Sequence, residues 1–434
     1  MMAKLSRGVQ VVHRVHDALQ AKESLKLASI PFHSPSFAPE FTLSGVEGCF
    51  CGHPMLFYLT YNDQPSGVYW SQVTDVVEHL NTLGDPKVKL VALVSGRDFL
   101  STRKKIKAHS PSAWVLPMVP TMKRWKRNTA ILAWVCRLLK PSGIICRGPF
   151  ATWMALRMRE RGLTKKVCFD GRGAYAAEWE EYRIIDDDAL IAQFRPLENE
   201  AVNASDFRIA VSQALVEHWR ERYGYTDNAH VVIPCTLGKD HVAPLVPEGV
   251  LQELATGIEP NERGNAQVVY SGSAAGWQSF DLLSVVANEL LRQPKVNLLF
   301  LSPDDANIRS LIDRHPGRVQ RLWLKPDEVR YQLDLCDAGI LLREDTITNR
   351  VASPTKFAEY LSAGLPVLIS EHLGDFSALV QANGLGHVLR DGSPVPELKQ
   401  VQRDERERLR AFALHYFTKA AHDARYRKVL QVLQ

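Results

Sequence analysis

The sequence predicts an α/β protein built from two Rossmann-like domains, and three observations carry that prediction. A chain of 434 residues with 45% hydrophobic and 23% charged content suffices for two or three cores, and two are expected. Strand-like apolar runs alternate with helix-like stretches, as a parallel sheet covered by helices demands. That rhythm stops at the Pro-, Gly- and charge-rich "CTLGKDHVAPLVPEGVLQELATGIEPNERGN" and then restarts, as it would across a domain connection.

Residues 1–50 show no sustained period, and prolines break "IPFHSPSFAPEF", so this part reads as an extension with one helix. The runs "MLFYLTY", "VKLVALVSG", "AWVLPMV", "GIICRG", "KVCFDG" and "FRIAVS" are the expected strands of the first domain. Between them, "GVYWSQVTDVVEHLNTLG", "NTAILAWVCRLLK" and "SQALVEHWRERYG" have helical spacing. The second domain repeats the pattern with strands at "AQVVYSGS", "VNLLFLS", "VQRLWL", "DAGILLRED" and "LPVLIS", and with helices at "FDLLSVVANELLRQ" and "PDEVRYQLDLC". The expected boundaries are 1–240 for the first domain and 241–410 for the second. A C-terminal helix over 411–434 then packs back on the first. Two such domains place ligands at the carboxyl ends of both sheets, which suits a donor on one side and an acceptor on the other.

Composition narrows the class. The start, "MMAKLSRGVQVVHRVHDALQ", lacks a signal peptide's apolar core, and no window approaches the roughly 18 apolar residues of a membrane span, so a soluble, cytoplasmic protein is expected. The seven cysteines are scattered and read as reduced. Cys49 and Cys51 are the close pair, and no second pair completes a zinc site. The net charge of +5 is uneven, because residues 101–150 hold eleven Lys or Arg and no Asp or Glu. With Trp125 among them, residues 103–127 suit peripheral contact with an anionic membrane. Nucleic acid is not expected as a partner, since the remainder is net acidic and no recognition motif occurs. No G-x-G-x-x-G follows "MLFYLTY", and no Walker A loop occurs. Asp186 and Asp188 in "RIIDDDAL" match an Asp-x-Asp metal motif, but three acids before "ALIAQF" fit a helix cap and first turn.

The stretch "SPTKFAEYLSAGLPVLIS" is richer in chemistry. Ser353 is positioned to cap a helix that opens at Pro354 and stops at Gly364, before a buried strand. Its amino end, at the carboxyl edge of the sheet, would offer unpaired N–H groups and a positive dipole to a phosphate. Lys356 adds a cation in the first turn, and Glu359, one turn on, can accept from vicinal hydroxyls such as those of a ribose. Each residue taken alone also fits an ordinary exposed helix.

This stretch resembles the donor-binding signature of the group-1 glycosyltransferases of the GT-B fold, which transfer a sugar from a nucleotide diphosphate. "CFDGRGAYAAEWEEY", "LENEAVNASDFRIAVSQALVEHW" and "VVIPCTLGKD" resemble further segments of that family in the right order, so the likeness spans roughly residues 55–390. It implies two Rossmann-like domains facing across a cleft, with the C-terminal helices returning to the first. It also implies that the backbone of Ser353, Pro354, Thr355 and Lys356 holds the diphosphate, that Glu359 binds the ribose, and that Leu324 and Lys325 lie against the nucleobase. Two departures stand out. Many members carry a second glutamate at the position of Val351, so Glu344 or Asp345 would contact sugar hydroxyls instead. Members also place cations after the first strand of the second domain, whereas "YSGSAAGWQSFD" has none; Gly272 and Gly276 permit close backbone approach there, and Arg343 or Arg350 would supply the charge.

The implied reaction moves a sugar from a nucleotide-diphosphate donor, a co-substrate rather than a cofactor, to a glycan or lipid-linked saccharide, with no metal. In the retaining course that the family precedent implies, the departing phosphate takes the acceptor proton. In an inverting course Asp170 or Glu178 would be the base, with Arg172 orienting the acceptor. A nucleotide-sugar epimerase and an inactive scaffold on the same fold are the alternatives.

Overall fold

Strands β1 (Met55–Tyr61), β2 (Lys87–Val94), β3 (Trp114–Pro117), β4 (Gly143–Arg147), β5 (Lys166–Gly171), β6 (Phe207–Ala210) and β7 (His230–Val232) form one parallel sheet in the order β3-β2-β1-β4-β5-β6-β7. A second parallel sheet, ordered β10-β9-β8-β11-β12-β13, is built from β8 (Ala266–Ser271), β9 (Val296–Leu301), β10 (Val319–Leu322), β11 (Ala338–Leu341), β12 (Val367–Ser370) and β13 (Gly386–Leu389). The computed structural model describes residues 55–119, 122–184, 186–242, 265–272 and 280–434. The expected N-terminal extension, the Cys49–Cys51 pair, Gly276 and most of the domain connection lie outside them.

Helices cover both faces of each sheet, which explains why the inner strands read as uninterrupted apolar runs. In β1, for example, Leu56 and Tyr58 face one core cluster while Phe57 and Leu59 face another. The order reverses between β1 and β4 in the first sheet and between β8 and β11 in the second. In open α/β sheets the crevice outside the carboxyl ends at such a reversal is where ligands bind.

The C-terminal helices tie the two halves together. The helix Arg403–Phe417 belongs to the second domain, where Leu409, Ala413 and Phe417 share a core with Phe357 and Leu361. The chain then crosses back, and Tyr426, Val429, Leu430 and Leu433 of the helix Asp423–Leu433 join the first-domain core beside Leu56 and Tyr58. At the crossing, Lys419 donates to the Leu237 carbonyl (2.8 Å) and lies 3.9 Å from the Asp75 carboxylate.

Candidate active site

The helix Thr355–Ser362 follows β11 and leads into β12, so its amino end opens at the carboxyl edge of the second sheet. Tyr360 fixes it there. The Tyr360 hydroxyl accepts from the Ser271 backbone N–H (2.8 Å) and donates to the Ile340 carbonyl (3.3 Å), linking the helix to β8 and β11 at the order reversal. Gly339 in β11 allows this approach, because a Cβ there would overlap the Tyr360 ring. Gly364, with φ of +74°, ends the helix as its sequence position indicates.

At the amino end the cap residue is Pro354, and among the described residues no side chain caps the helix. The expectation that Ser353 is the cap is thereby corrected. Its hydroxyl accepts instead from the Cys235 backbone N–H (2.9 Å), on the segment that leaves the first domain. The competing partner is a backbone amide already held in place by a neighbouring bond, between Thr236 and Gln72. The Thr355 and Lys356 amides of the first turn therefore face no side-chain cap, while the Phe357 N–H bonds the Pro354 carbonyl (3.2 Å). Lys356 extends from the same turn, half-buried, with its Nζ 3.1 Å from Glu359 Oε2. Burial pushes the Glu359 carboxyl up, but Lys356, His241 and the Thr355 hydroxyl outweigh it and hold the group below the usual carboxylate range. The site thus combines a cation, an ionised acceptor and a dipole end, the complement of a polyphosphate joined to a polyhydroxyl ring.

The two domains meet edge to edge across this point. Ser212, following β6, donates to the Val351 carbonyl (2.7 Å). Asp375 accepts from the Gln213 and Ala214 N–H groups (2.6 and 3.0 Å), capping a first-domain helix from the second domain. Glu181 reciprocates by accepting from the Ile347 and Thr348 N–H groups (2.9 and 3.1 Å). Beside it the Tyr182 hydroxyl meets the Thr346 hydroxyl (3.1 Å) and accepts from the Asn349 amide (2.9 Å). Val351 is buried in a cluster with Ala174, Ala177, Val211 and Trp219 of the first domain. An apolar side chain there seals the interdomain contact.

On the first-domain side, Asp170 at the end of β5 is fully buried; the Tyr58 hydroxyl donates to it and Arg172 Nε lies 2.8 Å away. Arg147, opposite Asp170 in register, pairs with Asp63 (3.3 Å) beyond the end of β1. Glu178 lies one turn before Glu181 and Tyr182, the residues that reach the second domain, and it retains partial exposure. Burial, with a smaller contribution from Glu181, pushes its carboxyl up to about 7. Such a group exchanges a proton near neutrality.

No protein-family model matches the sequence, and no curated protein matches it. Solved structures do match in shape. The Anabaena protein HepE, in complex with UDP and glucose, superposes with a TM-score of 0.63 at 14% identity, over 87% of this chain and 100% of that one. Sucrose-phosphate synthase from Thermosynechococcus elongatus gives 0.62 at 12% identity, over 88% and 99%. The lipopolysaccharide outer core galactosyltransferase WaaB gives 0.59 at 13% identity, over 87% and 99%. All three superpose on this chain over nearly their whole length.

The chain has the GT-B fold.

Within the GT-B frame, the structure brings Ser353, Pro354, Thr355, Lys356 and Glu359 together at the interdomain edge, next to His241. Gly272 follows β8, its N–H bonded to the Leu301 carbonyl (3.2 Å). Arg343 is buried close to Tyr270, Tyr360 and Tyr182. Arg350 turns outward and pairs with Asp345 (2.5 and 2.7 Å), so both are engaged with each other. Glu344 is exposed, and its carbonyl accepts from Asn349 (3.0 Å). Leu324 packs against the second-domain core, while Lys325 is exposed and its N–H donates to Glu328 (2.8 Å). Asp187 caps the helix Asp188–Ala204 through the Leu190 N–H, and Asp186 and Asp188 reach Arg183. Sequence reading missed Glu181, Tyr182, Asp375 and the Arg147–Asp63 pair. The basic end of "GIICRG" was the signal available for Arg147.

Proposed function

We propose that this protein is a glycosyltransferase that takes a sugar from a nucleotide-diphosphate donor and delivers it to a glycan or lipid-linked saccharide. The observation that carries this reading is the uncapped amino end of the helix Thr355–Ser362, with Lys356 and Glu359 beside it, at the facing edges of a GT-B fold. The presence of UDP and glucose in the HepE structure, on the same fold, supports a nucleotide-sugar donor and makes UDP the first probe.

Breaking the bond between the anomeric carbon and the diphosphate leaves negative charge on the phosphate. The N–H groups of the first helical turn and the Lys356 ammonium stabilise that charge as it develops, and losing one such donor costs on the order of 10²–10³ in rate. Glu359 orients the ribose. Transfer with retention needs no protein base, since the departing phosphate takes the acceptor proton, and the N–H dipoles with lysine supply the stabilisation that a metal gives elsewhere. Of Asp170 and Glu178, Glu178 is better suited to proton transfer, because Asp170 is held by Tyr58 and Arg172 away from solvent. Arg172, with its Nε 2.8 Å from the Asp170 carboxylate, supports Asp170 at this edge. Thermal-shift measurement with UDP, GDP and ADP and their sugars tests the reading, with Lys356→Ala and Glu359→Ala as controls. Stabilisation by one nucleotide, lost in both variants, is expected. Equal responses in wild type and variants would defeat it. Product analysis without acceptor separates transfer from epimerisation.

A further inference from the structure

Of the eleven basic residues between 101 and 150, few are tied to a carboxylate. Lys123 pairs with Asp187 and Arg147 with Asp63; among the described residues the other nine make no ion pair. The expected aromatic partner, Trp125, is not at the surface. It is buried against Phe150 and Trp153, so that expectation is corrected: a tryptophan flanked by lysines in sequence was placed by its own packing, not by its neighbours.

The exposed aromatic is Trp134, on the helix Asn128–Leu139. The solvent-facing stripe of this helix reads Ala130, Trp134, Arg137 and Leu138. Trp134 is 56% exposed and Leu138, one turn on, is 46% exposed. The Trp134 ring lies 6.3 Å from that of Trp114, on the edge strand β3. Lys89 sits over Trp114 at 5.5 Å, and burial together with nearby Lys107 lowers the Lys89 pKa. Lys107 in turn feels Arg103. The free edge of the first sheet therefore carries an exposed apolar pair near cations that make no ion pair among the described residues, with no carboxylate between residues 99 and 150.

We infer that this edge is a docking surface for an anionic lipid bilayer. Lys89, Arg103 and Lys107 crowd together with no carboxylate paired to them among the described residues, and a negative surface relieves their mutual repulsion. The argument from shape separates a membrane from nucleic acid. A tryptophan and a leucine standing one helical turn apart, ringed by Lys and Arg, suit the headgroup boundary, where a ring and an alkyl chain enter the lipid while the cations meet phosphates. A phosphate backbone would use the cations and leave Leu138 in water. The inference is independent of the donor site, because none of these residues lies at the helix Thr355–Ser362.

Co-sedimentation of the full chain with phosphatidylglycerol vesicles, and with pure phosphatidylcholine vesicles, tests it. Binding to the first and not the second is expected, with loss in about 0.5 M salt. Trp134→Ser with Leu138→Ser should weaken binding at least about tenfold, and Arg137→Glu should do the same, while the nucleotide-induced thermal shift stays at its wild-type value. That unchanged shift, or an unchanged melting curve, keeps loss of binding distinct from loss of fold or of the donor site. Equal binding to both vesicle types, or full binding by the Trp134/Leu138 variant, would overturn the inference. So would tighter binding to single-stranded DNA than to vesicles, or a dimer that the same substitutions dissolve.

Discussion

Replacing Glu178 by glutamine removes a carboxyl whose ionisation the fold opposes. Burial, and secondarily the charge of Glu181, moves its pKa from 4.5 to about 7. In the unfolded chain the group loses its proton near 4.5, whereas the native protein keeps it until about 7. Between those values the native state binds more protons, so stability falls as pH rises and levels off above 7. The shift corresponds to at most about 3.4 kcal/mol at 1.36 kcal/mol per unit, and to about 1–2 kcal/mol once the remaining solvent contact is allowed for. Glutamine keeps the shape and cannot ionise. Glu178→Gln should therefore raise the melting temperature by about 2–6 °C at pH 8.5 and leave it unchanged at pH 4.5. Initial rates across pH 6–8 give the second readout: if Glu178 is a base, the variant loses on the order of 10²–10⁴ in kcat and the rise through pH 7 disappears. A retaining course leaves kcat near the wild-type value. A melting-temperature gain equal at both pH values, or none at pH 8.5, would refute the burial argument.

Three further outcomes follow from the interdomain contacts and the C-terminal crossing. Asp375→Ala removes the carboxylate that caps the helix starting at Gln213; it should cost about 1 kcal/mol in urea denaturation and enlarge the radius of gyration in solution scattering, and no change in either would mean the cap is not made. Val351→Glu restores the carboxylate that the family resemblance leads one to expect but buries it among Ala174, Ala177 and Trp219; a loss of about 3 kcal/mol or more is expected, and wild-type stability would place that side chain in the crevice instead. Burial, reinforced by Arg425, lowers the His422 pKa to about 4. The unfolded chain takes up this proton at higher pH, so stability should drop as pH falls from about 6.5 to 4. His422→Gln should flatten the melting temperature over that range, and an equally steep profile would show that other groups set the acid limit.

Much of the fold was legible because its strands are buried on both faces and so appear as apolar runs between helices. The exceptions are instructive. β7 and β13 are short edge strands of mixed burial, and "HVV" and "GHVL" carry no period that separates them from loop. The donor-side helix was legible from Pro354, Lys356 and Gly364 because capping and termination are local events. The Ser353 hydroxyl was not, because its partner at Cys235 lies 118 residues away. For the same reason Glu181 and Asp375 looked like ordinary exposed acids: each caps a helix more than 160 residues distant. Trp125 and Trp134 show the limit of reading charge neighbours, since the tryptophan between lysines is buried and the one in the apolar run "AILAWVC" is exposed.

The central claim is that a nucleotide diphosphate rests on the first turn of the helix Thr355–Ser362, with Lys356 on its phosphates and Glu359 on its ribose. Calorimetric titration of UDP, GDP and ADP, and then of the nucleoside of whichever binds, tests it most directly. Lys356→Ala should weaken the diphosphate at least about tenfold, equivalent to 1.4 kcal/mol, and leave the nucleoside unchanged, whereas Glu359→Ala should weaken both. Undiminished diphosphate binding by Lys356→Ala, or the same loss for diphosphate and nucleoside, would contradict the account.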